Sequence, residues 1–383
     1  MKVLRILFTA FLVLAVLGGC TSAPSKFVLG VSSNRFSDIE RCGCSAQDLG
    51  GIDREVNLLE QYKSERNLSV TYLVTGTTLV TQPQNFKPSR IKRYLSKAGY
   101  VVEALNLMGA SYYAPSIQDL SLGVDAIRGL EQKAKFKFLS ANLFQLKDGK
   151  MQASLFKPYE EVNLAGAQVL FIGLSGKGNP VYKVDSMVGF KPPKEALKAV
   201  FEKVDPTGKF VVLLSSLPEV ELKEVQAEFP QIQFYAGGSD QRATLDLEYP
   251  SRKTVYGNPS ARGRDVLIVE VGAKLPFDEF YSEKGAQFAT ERKVLLDDQL
   301  RKLPEKIANA KTPAEKAEHL ERQKKYEVYF KDLEKYAVNK SRKATELVSF
   351  PTTVSGRFAV KQNPANEILT RLKKAGLSEE GSP

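Results

Sequence analysis

The stretch YAGGSDQ, Tyr235 to Gln241, follows an apolar run and turns on two glycines into Ser239, Asp240 and Gln241. Polar residues at i and i+2 behind a strand-end glycine pair stand where a fold presents ligands to a metal. A hydroxyl and an amide are poor ligands for one. Near the other end of the chain, Cys42 and Cys44 form a C-x-C pair. In an oxidising compartment that spacing reads as a strained disulfide, a fragment of a metal site or two thiols, and it does not choose among them. Gly50-Gly51 runs into an amphipathic stretch with Arg54 beside it, a helix N-terminus suited to accept an anion. The single histidine, His319, lies in a charged helical segment and is expected to be solvated.

The compartment follows from MKVLRILFTAFLVLAVLGGC. Lys2 and Arg5 precede an uncharged run from Ile6 to Val16, a secretory signal with an apolar region too short for a typical spanning helix. Leu17-Gly18-Gly19-Cys20 resembles a bacterial lipobox, which implies diacylglyceryl attachment at Cys20 and cleavage after Gly19. Three acyl chains, at about 0.8 kcal/mol per buried CH₂, amount to permanent anchorage. Thr21 follows, where Asp would direct inner-membrane retention, so the outer membrane is the expected location. The net charge of +11 is spread along the chain without a dense basic tract. It suits a solvated basic surface or anionic envelope components, and nucleic acid is not an expected partner.

Strand-like and helix-like segments alternate. KFVLGVS, LSVTYLV, FKFLSANLF, AQVLFIGLSG, KFVVLLSSL, IQFYAGG, RATLDLEY and RDVLIVEVGA read as strands. Two of them, AQVLFIGLSG and KFVVLLSSL, are almost wholly apolar and predict central strands covered on both faces. GGIDREVNLLEQYK, PSRIKRYLSKAGYVVEALNLMG, SLGVDAIRGLEQKA, PPKEALKAVFEKV and EVELKEVQAEFP read as helices between them. The pattern is α/β with helices outside and site-bearing loops at strand ends.

Six segments carry a specific resemblance: ERCGCSAQDLGGIDREVNLL, VVEALNLMGASYYAPSIQDLSLG, FKFLSANLF, AQVLFIGLSG, VVLLSSL and IQFYAGGSDQ. In order and approximate spacing they resemble the N-terminal domain of 5′-nucleotidase-like, calcineurin-type metallophosphoesterases, in a bacterial lipoprotein branch. The similarity runs from about Phe27 to Lys274. It implies a four-layer αββα sandwich and, in active relatives, two metals about 3.5–4 Å apart that activate a water. Carried over position by position, the family's metal ligands fall on Asn34 and Phe36, on Thr77, on Ile117 and on Ser216. The last pair falls on Ser239 and Gln241. The family's catalytic His falls on Gln118, and the acid that would partner it on Ser121. Only Asn34 weakly retains a ligand type, so the resemblance implies a domain without catalytic residues, metal or other cofactor. The vacated strand ends still offer polar Thr77, Gln118, Ser216, Ser239, Asp240 and Gln241, with Arg54 nearby, to a metal-free ligand.

Beyond the sandwich, assigned to residues 27–276 after a signal (1–19) and a lipidated tether (20–26), residues 277–346 predict an antiparallel helical hairpin. Leu296, Leu300, Leu303 and Ile307 recur at spacings of four, three and four. Thr312, Pro313 and Glu315 form an N-cap, a first-turn proline and a capping box. Tyr326, Tyr329, Leu333 and Tyr336 form the second stripe, and the tyrosines are a candidate surface for a protein partner. VSGRFAVKQ and NPANEILTRLKKAG, in the final segment 347–383, predict a strand and a short helix returning to the body. Three functions compete: a non-enzymatic, membrane-anchored binding or assembly module; a metal-dependent phosphoesterase with an atypical site; and a metal-free binder of a small anion.

Overall fold

The computed structural model describes residues 26–42, 48–176, 187–238, 243–244, 246–251, 253–273, 277, 279–281, 283–337, 345–359 and 363–378. Strand β1 (Lys26–Ser33) leads to a short ribbon, β2 (Arg41–Cys42) and β3 (Leu49–Gly50), and to helix α1 (Ile52–Arg66). Then come β4 (Val70–Gly76), α2 (Ile91–Leu107), β5 (Ala110–Pro115), α3 (Val124–Lys133) and β6 (Lys137–Phe138). A stretch of strands follows: β7 (Leu143–Lys147), β8 (Lys150–Ser154), β9 (Tyr159–Leu164), β10 (Ala167–Leu174) and β11 (Val188–Phe190). The second α/β half holds α4 (Pro193–Phe201), β12 (Phe210–Ser215), α5 (Glu219–Glu228), β13 (Phe234–Gly237), β14 (Glu248–Ser251), β15 (Thr254–Gly257) and β16 (Asp265–Gly272). Last are β17 (Phe280–Tyr281), α6 (Glu283–Ala308), α7 (Pro313–Ala337), β18 (Thr345–Thr353) and α8 (Pro364–Lys374).

Two large sheets result, in the orders β17-β18-β16-β1-β4-β5-β6 and β14-β15-β13-β12-β10-β9. Because β1, β4 and β5 run parallel, as do β10, β12, β13 and β15, each group presents its C-terminal ends at one edge of its sheet. Strand alternation sorts the side chains between layers. Phe27, Leu29 and Val31 of β1 meet Phe171, Val212, Leu214 and Phe234 of the second sheet in one core. Val28 of the same strand faces the opposite way, into a core with residues of α1, α2, α3 and α8. The outer face of the second sheet, Leu170, Ile172, Val211 and Leu213, packs on α4 and α5. The architecture is the expected four-layer αββα sandwich with a helical hairpin added.

Three segments depart from the sequence expectation. FKFLSANLF is broken into β6 and β7, because Ser140 and Asn142 turn their side chains to Ser175 instead of continuing a ladder. Where it is described, RATLDLEY is a strand only from Glu248 onward; Thr244 is diverted to exchange hydrogen bonds with Asn258. VSGRFAVKQ is not a strand where it is described: Gly356–Phe358 form a 3-10 turn, and the strand is the preceding TELVSFPTT, paired antiparallel with β16.

Phe277 and Phe280, just ahead of the helices, pack in the inter-sheet core against Phe210. In the hairpin, Leu296 is buried against Leu300, Tyr326 and Phe330, and Leu303 is buried as well. Tyr326 is thus a seam residue and not a free partner surface. The side chains of Tyr329, Leu333 and Tyr336 lie outside those the structure describes. The Thr312 hydroxyl accepts from the Glu315 N–H (3.1 Å) as an N-cap should, while Glu315 reaches back one residue past the cap, to the Lys311 N–H (2.9 Å), so the expected capping box forms with its return bond shifted by one residue. His319 is half-buried and not solvated as the sequence suggests, with Nε2 3.9 Å from Glu315.

Candidate functional site

The loop after β1 is an unusual piece of backbone. Asn34, Phe36 and Ser37 all have positive φ (44°, 55° and 59°), a region that L-residues enter rarely and bulky ones least of all. It is held there by pairing: the N–H groups of Asn34, Phe36 and Ser37 donate to the carbonyls of Thr75, Thr77 and Thr78 at 2.9–3.0 Å. Asn34 Oδ1 accepts from the Thr77 N–H at 3.1 Å. Phe36 is buried, so this position offers an apolar ring and no donor atom.

Thr77 continues the cluster. Its hydroxyl lies 2.9 Å from that of Ser116 and donates to Gln118 Oε1 at 3.4 Å. Ile117 is buried between them in sequence and contributes only hydrocarbon. The organising group is Asp119, which the sequence reading passed over. Its carboxylate accepts from the N–H groups of Thr78 (3.1 Å), Leu79 (2.7 Å) and Ser116 (3.0 Å). It also accepts from the hydroxyls of Ser116 (3.0 Å) and Tyr113 (2.6 Å). Complete burial pushes its pKa up, against the donors that hold it down. The same burial, with Asp119 alongside, pushes the Tyr113 phenol well above its ordinary value. Ser121 is buried, and its hydroxyl finds no hydrogen-bond partner among the described residues.

The second sheet closes the other half. Asn142 gives its amide N–H to the Ser175 carbonyl (2.7 Å) and takes the Ser175 N–H (2.9 Å). Ser175 Oγ donates to the Pro115 carbonyl at 2.7 Å, tying the two sheets together. Ser216, half-buried, accepts the Gly176 N–H at 3.0 Å. The glycine pair of YAGG has a packing reason. A Cβ on Gly238 would sit 2.6 Å from the Gly76 nitrogen, and one on Gly76 (φ +73°) would sit 2.1 Å from Asn34 Oδ1. Two strand-end loops from different sheets approach backbone to backbone there. Ser239, Asp240 and Gln241, which follow, lie outside the described residues, as do Cys20 and Cys44 and the side chain of Cys42.

Arg54 does not face the strand ends as a free anion receptor. It is buried, and it donates to the Asp48 carboxylate (2.5 Å) and to the Asp48 carbonyl. Asp53, in the first turn of α1, is taken by Arg41 at 2.6 Å. The anion expected at that helix start is therefore supplied by the chain's own carboxylates. Beneath it, Arg35 donates to both oxygens of Glu55 (2.6 and 2.7 Å), and Tyr72 donates to the same carboxylate. Burial works against the Arg35 charge, but Glu55 and the neighbouring Tyr72 and Asp38 more than offset it.

Of the sequence-predicted positions, the structure brings together Asn34, Thr77 and Gln118, and places Ser216 against Gly176. The donors fit a two-metal centre poorly. Phe36 and Ile117 are hydrocarbon, Thr77, Gln118 and Ser216 are neutral, and Asn34 and Asp119 are committed to neighbouring backbone. Among the described residues no group of three or more His, Cys, Asp or Glu side chains converges to hold a metal ion.

No known family profile matches the chain. Protein UshA of Salmonella pullorum is 30% identical over 117 residues, which are 29% of this chain and 20% of that protein. UshA of Escherichia coli K12 is 28% identical over 117 residues, with the same shares. The chain thus spans about a fifth of the length of the curated relatives it matches. Among solved structures, the calcineurin-like phosphoesterase YfkN of Bacillus subtilis superposes with a TM-score of 0.56 at 10% identity, over 92% of this chain and 98% of that one. A putative 5′-nucleotidase of Staphylococcus aureus gives 0.53 at 15% identity, over 64% of this chain and 51% of the other. NAD nucleotidase of Haemophilus influenzae gives 0.50 at 16% identity, over 64% and 47%. At these identities the likeness is one of fold.

Proposed function

From its calcineurin-like metallophosphoesterase fold, we propose that this chain is an envelope lipoprotein whose phosphoesterase-type domain binds or assembles and does not hydrolyse. The observation that carries this is the closure of the strand-end loops. Asn34, Thr77, Ser116 and Asp119 satisfy one another and the adjacent backbone, while Phe36 and Ile117 fill two further positions with hydrocarbon. A hydrolytic site needs ligands and a general acid or base aimed at a substrate. The described loops offer neutral hydroxyls and amides, those of Asn34, Thr77 and Ser116 already in use. Incubation of the purified chain with a generic phosphodiester and with nucleotides, in manganese or zinc, is expected to release no phosphate or alcohol above background. Turnover that a chelator abolishes would return the chain to the hydrolases.

Anchorage belongs to the same proposal. The lipobox ending at Cys20 supports it, and no helix among the described residues is long and apolar enough to cross a membrane. Mass spectrometry of the mature N-terminal peptide should find acylated Cys20; an unmodified start elsewhere contradicts it.

The hairpin is the proposed assembly element. Val294 and Leu295 on α6 and Leu320 and Val328 on α7 are exposed, Val294 by 66% and Val328 by 63%. They lie off the Leu296–Tyr326 seam, and exposed aliphatic side chains on a helical surface suit a protein contact. Replacing Val294, Leu295 and Val328 with Ser should leave thermal stability nearly unchanged and abolish self-association or capture of a partner. Unchanged assembly by this variant removes the hairpin from the proposal.

A further inference from the structure

The two outer helical layers of the sandwich carry their charge differently. On α4 and α5, the cations Lys194, Lys198 and Lys223 are all neutralised, by Glu224 and Glu228, by Glu228, and by Glu219, at 2.7–3.5 Å. On the opposite layer, residues 86–107 hold Lys87, Arg90, Lys92, Arg93 and Lys97 against a single acid, Glu103. Lys97 is buried beside Asp38, and Arg93 is used to bind the carbonyls of Gly376 and Ser378. Those two bonds bring the end of α8, with Lys373 and Lys374, alongside the start of α2. Lys87, Arg90, Lys92, Lys373 and Lys374 are all exposed. None of the five makes an ion pair with another described residue. Between them, Ile91 and Leu95, one helical turn apart, are exposed by 38% and 37%.

Lys373 and Lys374 favour the C-terminal end of α8, but Lys87, Arg90 and Lys92 do not serve α2. The first turn of α2 has no acidic residue, and cations at a helix N-terminus oppose its dipole. A surface that keeps unpaired cations around exposed aliphatic side chains at such a position suits a partner that is both anionic and apolar just beneath its charge. We propose that the α2–α8 face docks on an acidic-phospholipid bilayer, with Lys87, Arg90, Lys92, Lys373 and Lys374 at the phosphates and Ile91 and Leu95 entering the headgroup boundary. An acidic polypeptide would satisfy the cations alone, whereas exposed Ile91 and Leu95 set among them fit a bilayer, whose hydrocarbon lies just beneath its phosphates. The face lies away from the first described residue, since β1 starts at Lys26 and α2 starts beyond the opposite end of the parallel strand β4. This contact and the Cys20 anchor together would lay the domain along the membrane on its α2–α8 side.

The test uses the chain beginning at Thr21, which retains every described element and lacks Cys20, so failure of the acylation proposal leaves it intact. Co-sedimentation with vesicles of phosphatidylcholine mixed with phosphatidylglycerol should show binding that weakens with added salt, and pure phosphatidylcholine vesicles should bind far less. Lys87→Gln with Arg90→Gln and Lys92→Gln should lower affinity about a hundredfold, at roughly fivefold per cation near an anionic surface. Ile91→Ser with Leu95→Ser should weaken binding severalfold while the melting temperature stays put, and Lys203→Gln, beyond the end of α4, should change nothing. Equal binding to both vesicle types, or full binding by the triple variant, overturns the proposal. Tight binding to polyglutamate that ignores the Ile91 and Leu95 changes also overturns it and assigns the face to an acidic protein.

Discussion

Asp119 and the hairpin seam mark two different ways of holding a chain in place. At the end of β5 a fully buried carboxylate collects five hydrogen bonds from four residues, and the loop after β1 runs through left-handed backbone to pair with the Thr75–Thr78 segment beside it. In the hairpin, Leu296, Leu300, Tyr326 and Phe330 make a narrow apolar seam, with ion pairs spaced along its exterior. The first region is long-range and polar, so each member depends on the others. The second is local and apolar, and it loses its members one at a time. In this chain, therefore, the loops that in a hydrolase would face substrate are the structurally committed part. The proposed contacts with a partner lie on the helices.

That contrast breaks most readily at Asp119. Asp119→Ala strands several buried donors at about 1–3 kcal/mol each, so unfolding should lose about 4 kcal/mol or more. Chemical denaturation measures this, and a loss below ~1 kcal/mol would mean the loops are not interdependent. Gly76→Ala comes next, because it needs both a left-handed alanine and displacement of Asn34; about 3 kcal/mol is expected, again by denaturation. Leu303→Ala, in the hairpin, should cost ~2 kcal/mol, near the low end for a buried leucine because a two-helix seam can relax. Hydrogen exchange should then accelerate in α6 and α7 and stay unchanged in β1 and β4. Thr312→Ala removes one cap and should cost about 1 kcal/mol, seen as faster exchange at the start of α7 alone.

Much of this was legible. The apolar runs of β10 and β12 announced strands covered on both faces, and they lie between the inter-sheet core and α4 and α5. The capping residues Thr312 and Glu315 announced the hairpin turn. The β7–β8 hairpin was missed although its signal was present: Asp148-Gly149, both at positive φ (52° and 72°), is a strong turn pair for two strands. Asp119 was missed for a different reason. Its role depends on Thr78, Leu79 and Tyr113 arriving from two other stretches of chain, which no local pattern encodes. Arg54 beside Gly50-Gly51 read as part of a helix start open to an anion, but the structure pairs it with Asp48 in the preceding loop. Phe36 and Ser37 gave no hint of left-handed backbone, since that conformation is imposed by pairing with Thr77 and Thr78.

Metal content tests the central claim most directly. The purified chain, equilibrated with manganese or zinc and freed of excess ion, should carry well under one equivalent by elemental mass spectrometry, because the described strand ends offer hydrocarbon, neutral hydroxyls and amides, and one carboxylate, Asp119, already committed to protein donors. Two equivalents per chain, retained through dialysis and released only by a chelator, would contradict the account.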